Sequence, residues 1–76
     1  MKPAIIALER LSAGDWEGAH ELVQNLTDRH ACLVHALLHR HEGDLANADY
    51  WYRQAGEERP VNSLDEEWHR LMRLPD

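Results

Sequence analysis

"GDLANADYWYRQAG", residues 43–56, repeats the grammar of an earlier stretch, "GDWEGAHELVQNL", residues 14–26. Placing Gly14 on Gly43 puts Ala19 on Ala48, Val23 on Tyr52 and Leu26 on Ala55, at an offset of 29 residues. Each copy reads as the corner and second helix of a helical hairpin. Glycine permits the tight turn, aspartate caps the helix that follows, and the small alanine lets two helices approach closely. A hairpin used twice is the frame from which the rest of the chain is read.

Outward from these corners the apolar spacing is helical, and β-branched residues are few. Pro3 suits a first helical turn, and Ile5, Leu8 and Leu11 mark one face up to Gly14. Asp15 caps a second helix carrying Trp16, Ala19, Leu22, Val23 and Leu26. Thr27 or Asp28 caps a third, "RHACLVHALLHRHE", which is apolar on nearly every side and is therefore expected at the centre. Asp44 caps a fourth, with Leu45, Ala48, Tyr52 and Ala55 on one face and Gly56 as its stop. Pro60 breaks the chain in "EERPVN". "SLDE", residues 63–66, is a capping box for a fifth helix bearing Leu64, Trp68, Leu71 and Met72. The expectation is an all-α fold of five short antiparallel helices, roughly 3–13, 15–27, 28–42, 44–56 and 63–74, in one domain over residues 1–76.

Composition narrows the function classes. The chain has 43% apolar and 29% charged residues, an ordinary globular balance, but at 76 residues its core is modest. Fourteen acids against eight bases give a net charge of -6, and the arginines are scattered. That argues against nucleic acid and against anionic membranes as partners. Cys32 is the single cysteine, so no internal disulfide forms. No signal peptide or membrane span is read, and a cytoplasmic location is expected.

The segment 29–60 resembles the tetratricopeptide repeat: Gly43 at the turn, Ala48, Tyr52 and Ala55 down the second helix, and Pro60 closing it. Residues 1–26 match less well, and the whole amounts to about one and a half repeats with a capping helix. The wording also resembles small bacterial helical proteins. The first helix of the better repeat departs from the pattern, with Cys32, His35, Ala36 and His39 where the family has Trp, Leu, Gly and Tyr. The resemblance implies a non-catalytic protein–protein interaction or scaffold module with no cofactor, reading a protein, a peptide or a second copy of itself. Carried onto this chain, the binding face would comprise Ala4, Leu8 and Leu11, then His30, Leu33, Leu37, Arg40 and His41. Leu33, Leu37, Arg40 and His41, with Trp51, are the partner-binding candidates. Self-covering of that face, with the fifth helix over it, is the plainer alternative.

Six histidines are many for this length. His35 and His39 share a helical face, and Cys32 and Glu42 extend it. These four are plausible ligands for a zinc-like ion, which gives the alternative function, a metal-binding helical protein. The plainer reading packs His35 and His39 as core residues. His20, His30, His41 and His69 are expected on solvated faces. "YWY", residues 50–52, cannot turn all three rings to one neighbour. Tyr52 takes the core position, and Trp51 either packs on Trp68 or Leu64 or stays exposed as a contact. Glu66 or Glu67 paired with Arg70 reads as a solvated face. No serine–histidine–aspartate order, phosphate loop or Cys-x-x-Cys pair is present, and no enzymatic activity is expected.

Overall fold

The computed structural model describes residues 2–75, and these are all-α, with no strand among them. Five helices follow one another: α1 (Pro3–Ser12), α2 (Trp16–Val23), α3 (Arg29–His41), α4 (Leu45–Gln54) and α5 (Leu64–Arg73).

The Gly-Asp corners explain why the chain says the same thing twice. Gly14 and Gly43 take φ of +84° and +78°, the left-handed region that a side chain disfavours. At the first corner the Asp15 N–H donates to the Arg10 carbonyl at 2.9 Å and the Gly14 N–H to that of Leu11 at 3.0 Å. At the second, Asp44 N–H donates to His39 and Gly43 N–H to Arg40, both at 3.0 Å. This double closure satisfies the last carbonyls of the helix. The same aspartate then opens the next helix. Asp15 accepts from the Gly18 N–H at 2.9 Å, and Asp44 from the Asn47 N–H at 3.2 Å. One dipeptide therefore ends a helix and begins another, and α1 folds back on α2 as α3 does on α4.

α2 stops at Val23, short of the expected 27. The cap of α3 is Asp28, whose extended ψ of 155° lets its carboxylate accept from the Ala31 N–H at 3.2 Å. The chain must leave helical geometry before it reaches that cap. α3 is central, as its sequence implies. Every residue from His30 to His39 is buried, and α3 packs against all four other helices.

α5 starts with the capping box: Ser63 Oγ accepts from the Glu66 N–H at 3.0 Å, and the Glu66 carboxylate from the Ser63 N–H at 2.8 Å. It packs across α1 and α3. The Trp68 indole N–H donates to the Leu8 carbonyl at 2.8 Å, and His30 Nε2 donates to the Leu71 carbonyl at 2.9 Å. Leu8, Leu33, Leu37 and Leu71 are fully enclosed. Burying a leucine is worth about 1.5–3 kcal/mol, so this apolar surface is better satisfied inside the chain than offered to a partner.

α5 also carries a fully buried carboxylate, Glu67, where sequence reading expects a solvated helix face. It accepts from the Tyr52 hydroxyl at 2.8 Å, from Asn62 Nδ2 at 2.9 Å, and from Arg70 Nε and Nη2 at 2.7 and 2.9 Å. Burial pushes its pKa up, but the hydrogen bonds from Arg70, Asn62 and Tyr52 outweigh that and hold it below the ordinary glutamate value. Arg40 joins the network, donating to the Tyr52 hydroxyl at 3.2 Å, to Asn62 Oδ1 at 2.9 Å and to the Asn62 carbonyl at 2.6 Å.

Candidate metal-binding site

α3 meets α2 on one side and α4 on the other, and both seams place aromatic rings against the histidines of α3. His35 and His39 stand one turn apart, their rings stacked with centroids 4.9 Å apart. Trp51 of α4 stacks on the other face of His35 at 3.9 Å. From α2, His20 meets His35 edge to face at 4.8 Å and His39 at 5.6 Å. Trp16 stacks on His20 at 4.9 Å and is itself fixed, its indole N–H donating to the Leu38 carbonyl at 2.8 Å. The result is three imidazoles between two indole walls. His35 and His39 are 3% and 6% exposed, and His20 is half-buried.

One ligand nitrogen from each of His20, His35 and His39 lies within 4.8 Å of the other two. Among the described residues, Glu42 is the one hydrogen-bond partner of any nitrogen on these rings. Its Oε1 lies 2.5 Å from His39 Nδ1. An ionised carboxylate only accepts, so His39 donates from Nδ1, and in the neutral ring this leaves the lone pair on Nε2. This is how outer carboxylates fix the tautomer of metal-binding histidines. His35 Nδ1 is buried without a partner. Burial lowers the His35 pKa to about 4, with His39 and His20 pushing in the same direction. Burial also lowers that of His20, aided by His39 and opposed by Glu42, Glu17 and Glu21. These two rings are therefore neutral at pH 7, the form that binds metal. A tetrahedral ion with bonds of ~2.0–2.1 Å holds its nitrogens about 3.3 Å apart. Drawing three nitrogens from 4.8 Å apart to that spacing shifts each nitrogen by about 1 Å.

This trio differs from the stripe expected from sequence. His35 and His39 belong to it, and Glu42 stands behind His39. Cys32 is buried and joins no such group among the described residues, and burial, reinforced by Asp28, raises its thiol pKa. His20 takes its place, although sequence reading set it on a solvated face. A local signal pointed to it: Trp16 and His20 are four apart, the spacing at which helical side chains meet.

The partner-binding candidates scatter. Leu33 and Leu37 are sealed in the core, and His30, also expected at the surface, is buried under α5. Arg40 is spent on Tyr52 and Asn62. Trp51 packs on His35 rather than on Trp68 or Leu64. His41 remains exposed. The chain matches no protein-family profile, no curated protein and no solved structure.

Proposed function

We propose that this protein binds a transition-metal ion through His20, His35 and His39. The observation that carries the reading is the convergence of three imidazole nitrogens within 4.8 Å, one ring held from behind by Glu42. Imidazole-only donors suit zinc, copper, nickel or cobalt rather than calcium or magnesium. The negative field of Glu17, Glu21 and Glu42 around His20 favours a cation further. The test is calorimetric titration of the metal-free protein with zinc, alongside urea denaturation with zinc and with a chelator. An ion held at a hundred times its Kd stabilises the fold by about 2.7 kcal/mol. His35→Leu is expected to abolish both signals. A wild-type protein that takes up no zinc, cobalt, nickel or copper would sink the reading.

A non-catalytic interaction module, the function suggested by the repeat-like hairpins, draws support from another place. A groove of about 440 Å³ runs between α1 and α5, lined by Leu11, Leu64 and Trp68 with His41, Asp65 and His69 at its polar side. Its apolar lining suits a side chain from a second copy. Leu64→Asp would then abolish self-association in sedimentation, and a wild-type protein monomeric at every concentration would discard this use of the groove.

A further inference from the structure

The three histidines leave the coordination of a tetrahedral ion incomplete, and among the described residues no fourth ligand atom lies within 4.8 Å of all three nitrogens. We infer that the metal at this site keeps one position for an exogenous ligand, namely water or a small monoanion. The inference rests on the metal reading above and adds what the bound ion does.

Structural zinc sites are closed by four protein ligands, whereas sites with three leave a place for water or substrate. Among the described residues, no cysteine, aspartate or glutamate joins His20, His35 and His39 within 4.8 Å. Glu42 is engaged with His39 Nδ1, not with the ring's other nitrogen. Asp44 groups with His39 and Glu42 rather than with the three histidines, and the aromatic neighbours are Trp16 and Trp51. An indole N–H only donates, and that of Trp16 is committed to Leu38. Two of the histidines are buried and the third, His20, is only half-buried, so the site meets solvent on that side. A solvent-borne ligand reaches the ion there. Trp16 and Trp51 keep two sides of the site apolar, whereas Glu17, Glu21 and Glu42 bear on His20, so an anion's attraction to the cation must outweigh their repulsion.

Bound water at such a centre loses a proton far more readily than bulk water, because the cation stabilises the hydroxide left behind. The proton goes to solvent, and the oxygen keeps its bond to the metal. A monoanion such as azide or thiocyanate replaces that water without breaking a protein–metal bond. The site is thereby a Lewis-acid centre for small anionic ligands and not a structural clip.

Cobalt(II) reports this directly, since its visible absorption depends on coordination number and on the identity of the ligands. The experiment loads the full chain with cobalt, records the spectrum, and titrates azide, in wild type and in Glu42→Gln. The expected result is an intense four-coordinate spectrum that shifts with azide to saturation in both proteins. A cobalt spectrum that ignores azide in wild type overturns the open position while leaving the metal reading standing. Azide sensitivity appearing only in Glu42→Gln also overturns it, because Glu42 would then be the fourth ligand. No cobalt bound in wild type is the separate failure of the metal reading itself.

Discussion

Two buried polar clusters border α3, and they are built on opposite principles. Around Glu67 every strong group is answered: the carboxylate receives four hydrogen bonds, and Tyr52, Asn62, Arg40 and Arg70 interlock around it. Around His35 one carboxylate answers one of three imidazoles, and His35 Nδ1 is buried with nothing to bond. An unsatisfied buried polar group costs roughly 1–3 kcal/mol. A domain of this size has little stability in reserve, so the first cluster reads as a fastening, while the second carries an uncompensated buried nitrogen, as His30 does elsewhere at Nδ1.

The contrast can be broken by removing a member of each. Glu67→Ala leaves the Tyr52, Asn62 and Arg70 donors facing a void, and a loss of about 3–5 kcal/mol is expected. Urea denaturation measures it, and a loss under about 1 kcal/mol would mean the network fastens nothing. Acid distinguishes the clusters next. The His35 pKa in the fold, about 4, lies below the unfolded value of about 6.5. As pH falls through that window, the unfolded chain binds the proton first. The stability contributed by neutral His35 is whole above about pH 6.5, drains between 6.5 and 4, and is gone below. At most about 3 kcal/mol should disappear in metal-free wild type beyond the loss in His35→Leu; parallel pH profiles for the two would refute this.

Glu42→Gln sharpens the comparison from the metal side. Outer-shell partners are worth about 10–100-fold in metal affinity, so zinc binding should weaken by that factor in calorimetry while metal-free stability barely moves. An unchanged Kd would deny Glu42 its role behind His39. The smallest effect is the most telling. His35→Leu without metal should leave stability within about 1 kcal/mol of wild type, or raise it, because it removes a buried group with no partner. A large loss at neutral pH would show that His35 is a packing residue and that the two clusters are alike.

Much of the fold was legible because it is written in local chemistry. Each aspartate cap, the glycine corners and the Ser63–Glu66 box depend on neighbours in sequence, and all lie where the pattern put them. The central place of α3 followed from its all-round apolar surface. What escaped was set by packing between distant segments. Nothing near Glu67 announces that Tyr52 and Asn62 will meet it, and its pairing with Arg70 looks like any exposed helix pair. Leu33 and Leu37 look like a partner's contact until α5 is laid across α1 and α3. The histidines split along the same line. His35 and His39 declare themselves by spacing within one helix, whereas His20 joins them only when α2 docks on α3.

The Gly-Asp corners leave almost no loop to close within either hairpin, whereas the indole of Trp68 reaches the Leu8 carbonyl across most of the chain. Short closures cost little entropy and long ones more, so the order of events in folding should follow. The hairpins form first, and α5 locks on afterwards. Gly43→Ala should then slow folding, whereas Trp68→Phe should chiefly hasten unfolding. On that account the corner sets how fast the protein is made, and the clasp sets how long it lasts.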